Sequence, residues 1–128
     1  MEIGIVTDSF AHLPFERMLD TVAGLGLTAV ELPTGGWSSA PHLDLAALLG
    51  DAGERDRYLG ALRERGLHVS ALNINGNQLH PVIGGRIDEL VHRTVDLAEL
   101  MGVGTVVLMS GLPAGAPGDR TPNWVTTS

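Results

Sequence analysis

The sequence predicts an α/β fold: part of a (β/α)8 barrel of the TIM type, with about four parallel strands joined by three helical crossovers. Three observations carry that expectation. Hydrophobic runs at Ile3–Thr7, Ala29–Leu32, Val69–Leu72 and Thr105–Met109 are separated by segments of helical periodicity. Each run ends on or beside a polar residue, Asp8, Glu31, Asn73 or Ser110, and barrels of this kind place their chemistry at the carboxyl ends of strands. The junctions "AGLGLTAVEL", "LRERGLHVSAL" and "LAELMGVGTVVLM" repeat one phrase of helix end, Gly, link and buried strand, with a period of about 40 residues. A closed barrel takes about 250 residues and this chain has 128. Residues 1–128 are therefore expected to be the N-terminal half of such a domain, a fragment.

The elements follow in order. The first strand, Glu2–Thr7, leads into a loop carrying Asp8, Ser9, Phe10 and His12. Pro14 suits a first helical turn, where a missing N–H costs nothing. Phe15, Met18, Leu19, Val22 and Leu25 then form an apolar stripe, closed by Gly24 and Gly26. The second strand is expected to end near Glu31, followed by a loop over Pro33–Pro41 centred on Trp37. A short helix is expected over Leu43–Leu49. The next opens with Asp51 and Glu54 spaced as a capping box, turns Tyr58, Leu59 and Leu62 inward, and ends at Gly66. The third strand precedes a polar loop, Asn73–Gly85. The following helix lines Ile87, Leu90, Val91, Thr94, Ala98 and Met101 along one face, with Gly102 as its cap. The fourth strand ends at Ser110, and Gly111–Ser128 reads as irregular, with Trp124 and Val125 as its apolar residues.

Composition narrows the function classes. A formal charge of −7 disfavours a nucleic-acid backbone as partner. All eight basic residues are Arg, so Schiff-base chemistry and a Lys phosphate clamp are absent from this segment. Without Cys there is neither a disulfide framework nor a thiolate site. No signal peptide and no membrane-spanning stretch is visible, so a cytoplasmic location is expected.

Candidate chemistry concentrates after the second and third strands. Glu31 ends "TAVEL", where a carboxylate faces the barrel mouth and can bond a sugar hydroxyl. "NINGNQLHP" is the densest polar cluster: Asn73, Asn75, Asn77, Gln78 and His80 offer donors and acceptors suited to hydroxyls. Pro81 holds His80 extended. The competing reading is a polar turn whose Asn side chains bond their own backbone. Trp37 can stack on a sugar face or pack at the rim. His12 and His42 lie in loops near the same mouth, whereas His68 precedes a strand and His92 lies on a helix. "GLPAGAPGD" lacks the Gly-Lys-Ser/Thr ending of a phosphate loop, and its prolines remove backbone donors. A divalent metal needs several converging ligands, and Glu31 with His80 falls short of a set.

"MEIGIVTDSF", "AVEL", "NINGNQLHP" and "GLPAGAPGD…PNWVTT" resemble the sugar phosphate isomerase/epimerase family, which has a xylose isomerase-like TIM barrel. The resemblance spans essentially the whole chain. It implies proton transfer between adjacent carbons of a sugar or sugar phosphate, with a divalent metal, Mn or Mg, in the full-length protein and none bound by this chain alone. By the resemblance Glu31 and His80 match mouth positions; with Asn73, Asn77 and Trp37 from the reading of the residues they make up the substrate-binding candidates, and the catalytic residues are unassigned. Two alternatives stand beside it: a fragment of an endonuclease IV-like nuclease, and a non-enzymatic half-barrel that self-associates through exposed sheet edges.

Overall fold

The computed structural model describes residues 1–123; Trp124, Val125 and the rest of the "PNWVTT" ending lie outside them. A single sheet runs through the molecule, from β1 (Gly4–Val6) through β2 (Ala29–Gly36) and β3 (His68–Asn75) to β4 (Val106–Leu108). The strands are adjacent in chain order and every pairing is parallel. Three crossovers join them: α1 (Phe15–Gly24), the pair α2 (Leu45–Gly50) and α3 (Ala52–Arg63), and α4 (Gly84–Met101). The expected α/β architecture of four parallel strands is thus the observed one.

Local chemistry sets these elements. Pro14 stands one residue before α1 with extended backbone, and Met18, Leu19 and Val22 bury the apolar stripe behind it. Asp51 caps α3 by accepting from the Glu54 N–H at 3.1 Å. The Glu54 carboxylate turns outward to Arg57 at 2.5 Å, so the box is half made. Asp44 caps α2 in the same way, through the Ala47 N–H at 3.0 Å. At its far end α4 stops on Gly102, whose φ of 68° is the left-handed cap conformation. Arg65, just beyond α3, bonds Asp20 and Glu16 of α1 and ties the two crossovers together. The Asp20 bond is the main reason its guanidinium is held even more firmly protonated.

The core lies between sheet and helices. Val30, Leu32 and Leu72 pack with Met18, Leu19, Val22, Leu62 and Leu97, all essentially inaccessible to water. Burial of this kind is the main favourable term in folding.

β2 is longer than the sequence suggests. Pro33–Gly36, expected as loop, continues the ladder, with Pro33 opposite Asn73 and Gly36 opposite Asn75. Irregularities after Val30 and after Pro33 absorb residues that a regular ladder rejects. Gly36 has φ +83°, and a Cβ there would stand 2.0 Å from the Asn75 carbonyl oxygen. Glycine is the residue that permits this close approach. Glu31 is consequently a mid-strand residue, and Asn73 and Asn75 belong to β3.

Candidate functional site

Adjacent residues of a strand point to opposite faces. Glu31 lies between Val30 and Leu32, both in the core cluster, so its carboxylate emerges on the face away from the helices. Asn73 lies between Leu72 and Ile74, both fully buried. Its side chain meets Glu31 directly: Asn73 Nδ2 donates a short hydrogen bond to Glu31 Oε1. Asn73 is 6% exposed, and its Oδ1 has no hydrogen-bond partner. One end of the amide therefore orients a carboxylate while the other is an unfilled acceptor.

A second layer supports this pair. Thr34 Oγ1 lies 3.2 Å from the Asn73 carbonyl oxygen and 2.7 Å from Thr94 Oγ1. Thr94 in turn lies 2.8 Å from the Leu90 carbonyl oxygen. Thr34 and Thr94 are both buried, so α4 is stitched to β2 and β3 beside the Glu31–Asn73 pair. The sequence does not expose this stitch, since the two threonines are 60 positions apart. Its one signal is Thr94, a polar residue within the apolar stripe of α4.

The loops around the pair are also tied. Ser38 donates to Asp8 Oδ1 at 2.9 Å and accepts from the Ala40 N–H at 2.9 Å, joining the segments after β1 and β2. Asn77, 2% exposed, donates from Nδ2 to the Leu112 carbonyl at 2.8 Å, and its Oδ1 accepts from the Leu79 N–H at 2.9 Å. It bolts the β3–α4 loop to the segment after β4, where Gly111 packs so tightly that a Cβ would overlap the amide. His80 Nδ1 accepts from the Val82 and Ile83 N–H groups at 3.1 and 3.3 Å, so the ring caps the entry to α4. In a neutral ring its proton is then on Nε2. Trp37 follows β2 directly, donates its backbone N–H to the Asn75 carbonyl at 2.7 Å, and is 66% exposed. Of the five expected residues, Glu31 and Asn73 are in direct contact. Asn77 and His80 direct their hydrogen bonds to loop backbone, and Trp37 stands at the rim. His12 is exposed, whereas His42 is buried.

The donor set does not fit a complete divalent-metal site. Among the described residues no three His, Asp or Glu side chains converge, and one oxygen of the Glu31 carboxylate is already engaged by Asn73. Among the described residues, too, no helix is long and apolar enough to cross a membrane.

No protein-family model matches the chain. Over 127 residues it is 47% identical to "Uncharacterized protein YfiH" of Bacillus subtilis (strain 168), an alignment that takes in 98% of this chain and 41% of that protein. The crystal structure of a xylose isomerase domain containing protein from Salmonella typhimurium LT2 matches with a TM-score of 0.54 at 16% identity, over 91% of this chain and 38% of that one. The chain carries part of a xylose isomerase-like fold. It spans 41% and 38% of the lengths of the two proteins it matches. In this xylose isomerase-like frame the Glu31–Asn73 pair sits on the face of the sheet opposite the helices, with Asn73 in the carboxyl half of β3 and Glu31 in the interior of β2.

Proposed function

We propose that this chain forms one side of the mouth of a sugar-binding barrel, and that the barrel is an isomerase or epimerase moving a proton between adjacent carbons of a sugar or sugar phosphate. The observation that carries the reading is the Glu31–Asn73 pair: an oriented carboxylate beside a buried, unfilled amide oxygen. Two neighbouring acceptors suit two neighbouring hydroxyls. The carboxylate takes the stronger, charge-assisted bond. Asn73 is a positioning residue that fixes where that bond forms, and Trp37 at the rim supplies an apolar surface for a sugar face.

Proton transfer between adjacent carbons takes a base and an acid, and the pair supplies a single carboxylate. The second group, and the ligands of the Mn or Mg that the family resemblance implies, are on this reading contributed from outside the described residues.

The test has two arms. Titrating the isotope-labelled chain with aldoses, ketoses and their phosphates should move the Asn73 side-chain amide and the Trp37 indole resonances. Glu31→Gln should weaken that binding by roughly tenfold or more, the loss typical of a hydrogen bond to a charged group. In the second arm, a protein of YfiH length carrying this segment is incubated with the same sugars in heavy water, with Mn or Mg present. Deuterium should enter at the carbon next to the carbonyl. Silence in both arms across the panel sinks the proposal.

A further inference from the structure

A cavity of about 660 Å³ whose lining includes neither Glu31 nor Asn73 lies between the end of β2, the β2–α2 connection, α2, α3 and α4, with Phe15 of α1 at its edge. Its walls include Ser39, His42, Tyr58, Leu90 and Arg93. That volume is in the range of small-molecule sites. The surrounding structure is firmly held. Tyr58 stacks on Phe15 with ring centroids 4.5 Å apart, and its hydroxyl donates to the His42 carbonyl at 2.9 Å. Burial pushes the Tyr58 phenol upward, so it stays protonated and remains a donor.

Two polar groups among these lining residues have no partner within the described residues, one an acceptor and one a donor. His42 is 4% exposed, with Nε2 2.9 Å from the Leu13 carbonyl oxygen. A carbonyl only accepts, so Nε2 carries the proton and Nδ1 of the neutral ring is an acceptor. That Nδ1 is buried and has no partner, a state that proteins rarely leave standing. Arg93 is half-buried, and its guanidinium has no hydrogen-bond or ion-pair partner among the described residues. It also lines an adjoining cavity of about 300 Å³ with Gly36, Arg86 and Glu89. The acidic groups bordering the two cavities are Asp44 and Glu89. Asp44 is engaged in capping α2, and neither forms an ion pair with Arg93.

A guanidinium offers donors alone, in a fork matched to phosphate or carboxylate, whereas the His42 acceptor needs a donor such as a hydroxyl. We propose that this cavity is a ligand site, separate from the Glu31–Asn73 mouth, for a small hydroxylated anion. Arg93 takes the anionic group and His42 Nδ1 takes a hydroxyl. The proposal rests on the cavity and holds whether or not the mouth binds a sugar.

The 128-residue chain is titrated with glycerol 3-phosphate, glycerate and glycerol, and followed by nuclear magnetic resonance. Either anion, but not glycerol, should shift the resonances of Ser39, His42, Tyr58 and Arg93 in a saturable way. The His42 Nδ1 signal should move in the direction of a newly accepted hydrogen bond. Arg93→Gln, at a half-buried position, should keep the fold and weaken binding tenfold or more. The proposal is overturned if neither anion saturates, if glycerol acts equally, if the shifts gather at Glu31 and Asn73 instead, or if Arg93→Gln binds as the unaltered chain does.

Discussion

On the helix-covered face of the sheet, Val30, Leu32 and Leu72 are fully buried against Met18, Leu19 and Leu97. The opposite face of the same two strands carries Glu31 and Asn73, bonded to each other. The residues are sequence neighbours, yet they answer to different physics. The covered face is selected for area removed from water, which is non-directional and tolerant of shape within limits. The other face is selected for the direction of a few hydrogen bonds. Substitutions should therefore divide by the parity of their position along β2 and β3, and that division can be broken experimentally.

The largest expected effect is on the covered face. Leu72→Ala should cost about 2–5 kcal/mol in urea unfolding, the usual range for truncating a fully buried leucine. A cost below about 1 kcal/mol would mean that the centre of the sheet is not where stability resides. Next comes the polar stitch. Thr94→Val keeps the volume but deletes the hydroxyl that meets Thr34, and Thr34 can still donate to the Asn73 carbonyl. With no group left stranded the loss should be about 1 kcal/mol. A Thr34→Val/Thr94→Val double-mutant cycle should show coupling, whereas additive losses would dissolve the stitch into two unrelated hydroxyls.

On the opposite face the expected change is smaller. Glu31→Gln retains an oxygen that accepts from Asn73, so unfolding free energy should stay within about 0.5 kcal/mol of the unaltered chain. Binding should be the quantity that suffers. A variant that loses stability and binding together would show that the pair is structural, and the contrast between faces would fail.

The covered face was also the more legible in sequence. The apolar runs placed all four strands and the stripes placed the helices, because burial imprints itself on many residues at once. β2 beyond Leu32 was hidden. Pro33, Gly35 and Gly36 are poor strand residues in general, and they are accommodated here by two irregularities and one left-handed glycine that only the partner strand explains. The polar face was half legible. Glu31 and Asn73 could be singled out as polar residues closing apolar runs, though both prove to lie within their strands, and their contact spans 42 positions and needs the register to appear. His80 was read for its chemistry, whereas the loop uses its Nδ1 to cap two backbone N–H groups, a task that histidine is seldom expected to perform. The Arg93 and His42 cavity was not legible beyond His42 as a loop histidine, because its walls come from four separate segments.

The smallest effect at neutral pH belongs to a helix packed on the covered face. Asp51 caps α3, and the Glu54 and Gly53 N–H groups hold its carboxyl below the ordinary range. A carboxyl lowered on folding contributes stability that is present above its unfolded value and is lost as pH falls through the folded one. Asn caps a helix about as well as Asp, so Asp51→Asn should leave neutral stability almost unchanged. Below the ordinary carboxylate range the two chains should part: the unaltered protein loses its charged cap, and the variant has no such proton to gain. Thermal unfolding across the acid range measures this directly. Converging curves at neutral pH that separate only in acid would assign part of the acid sensitivity to a helix end on the covered side. Curves that remain parallel throughout would remove Asp51 from that account and return the question to the other carboxylates.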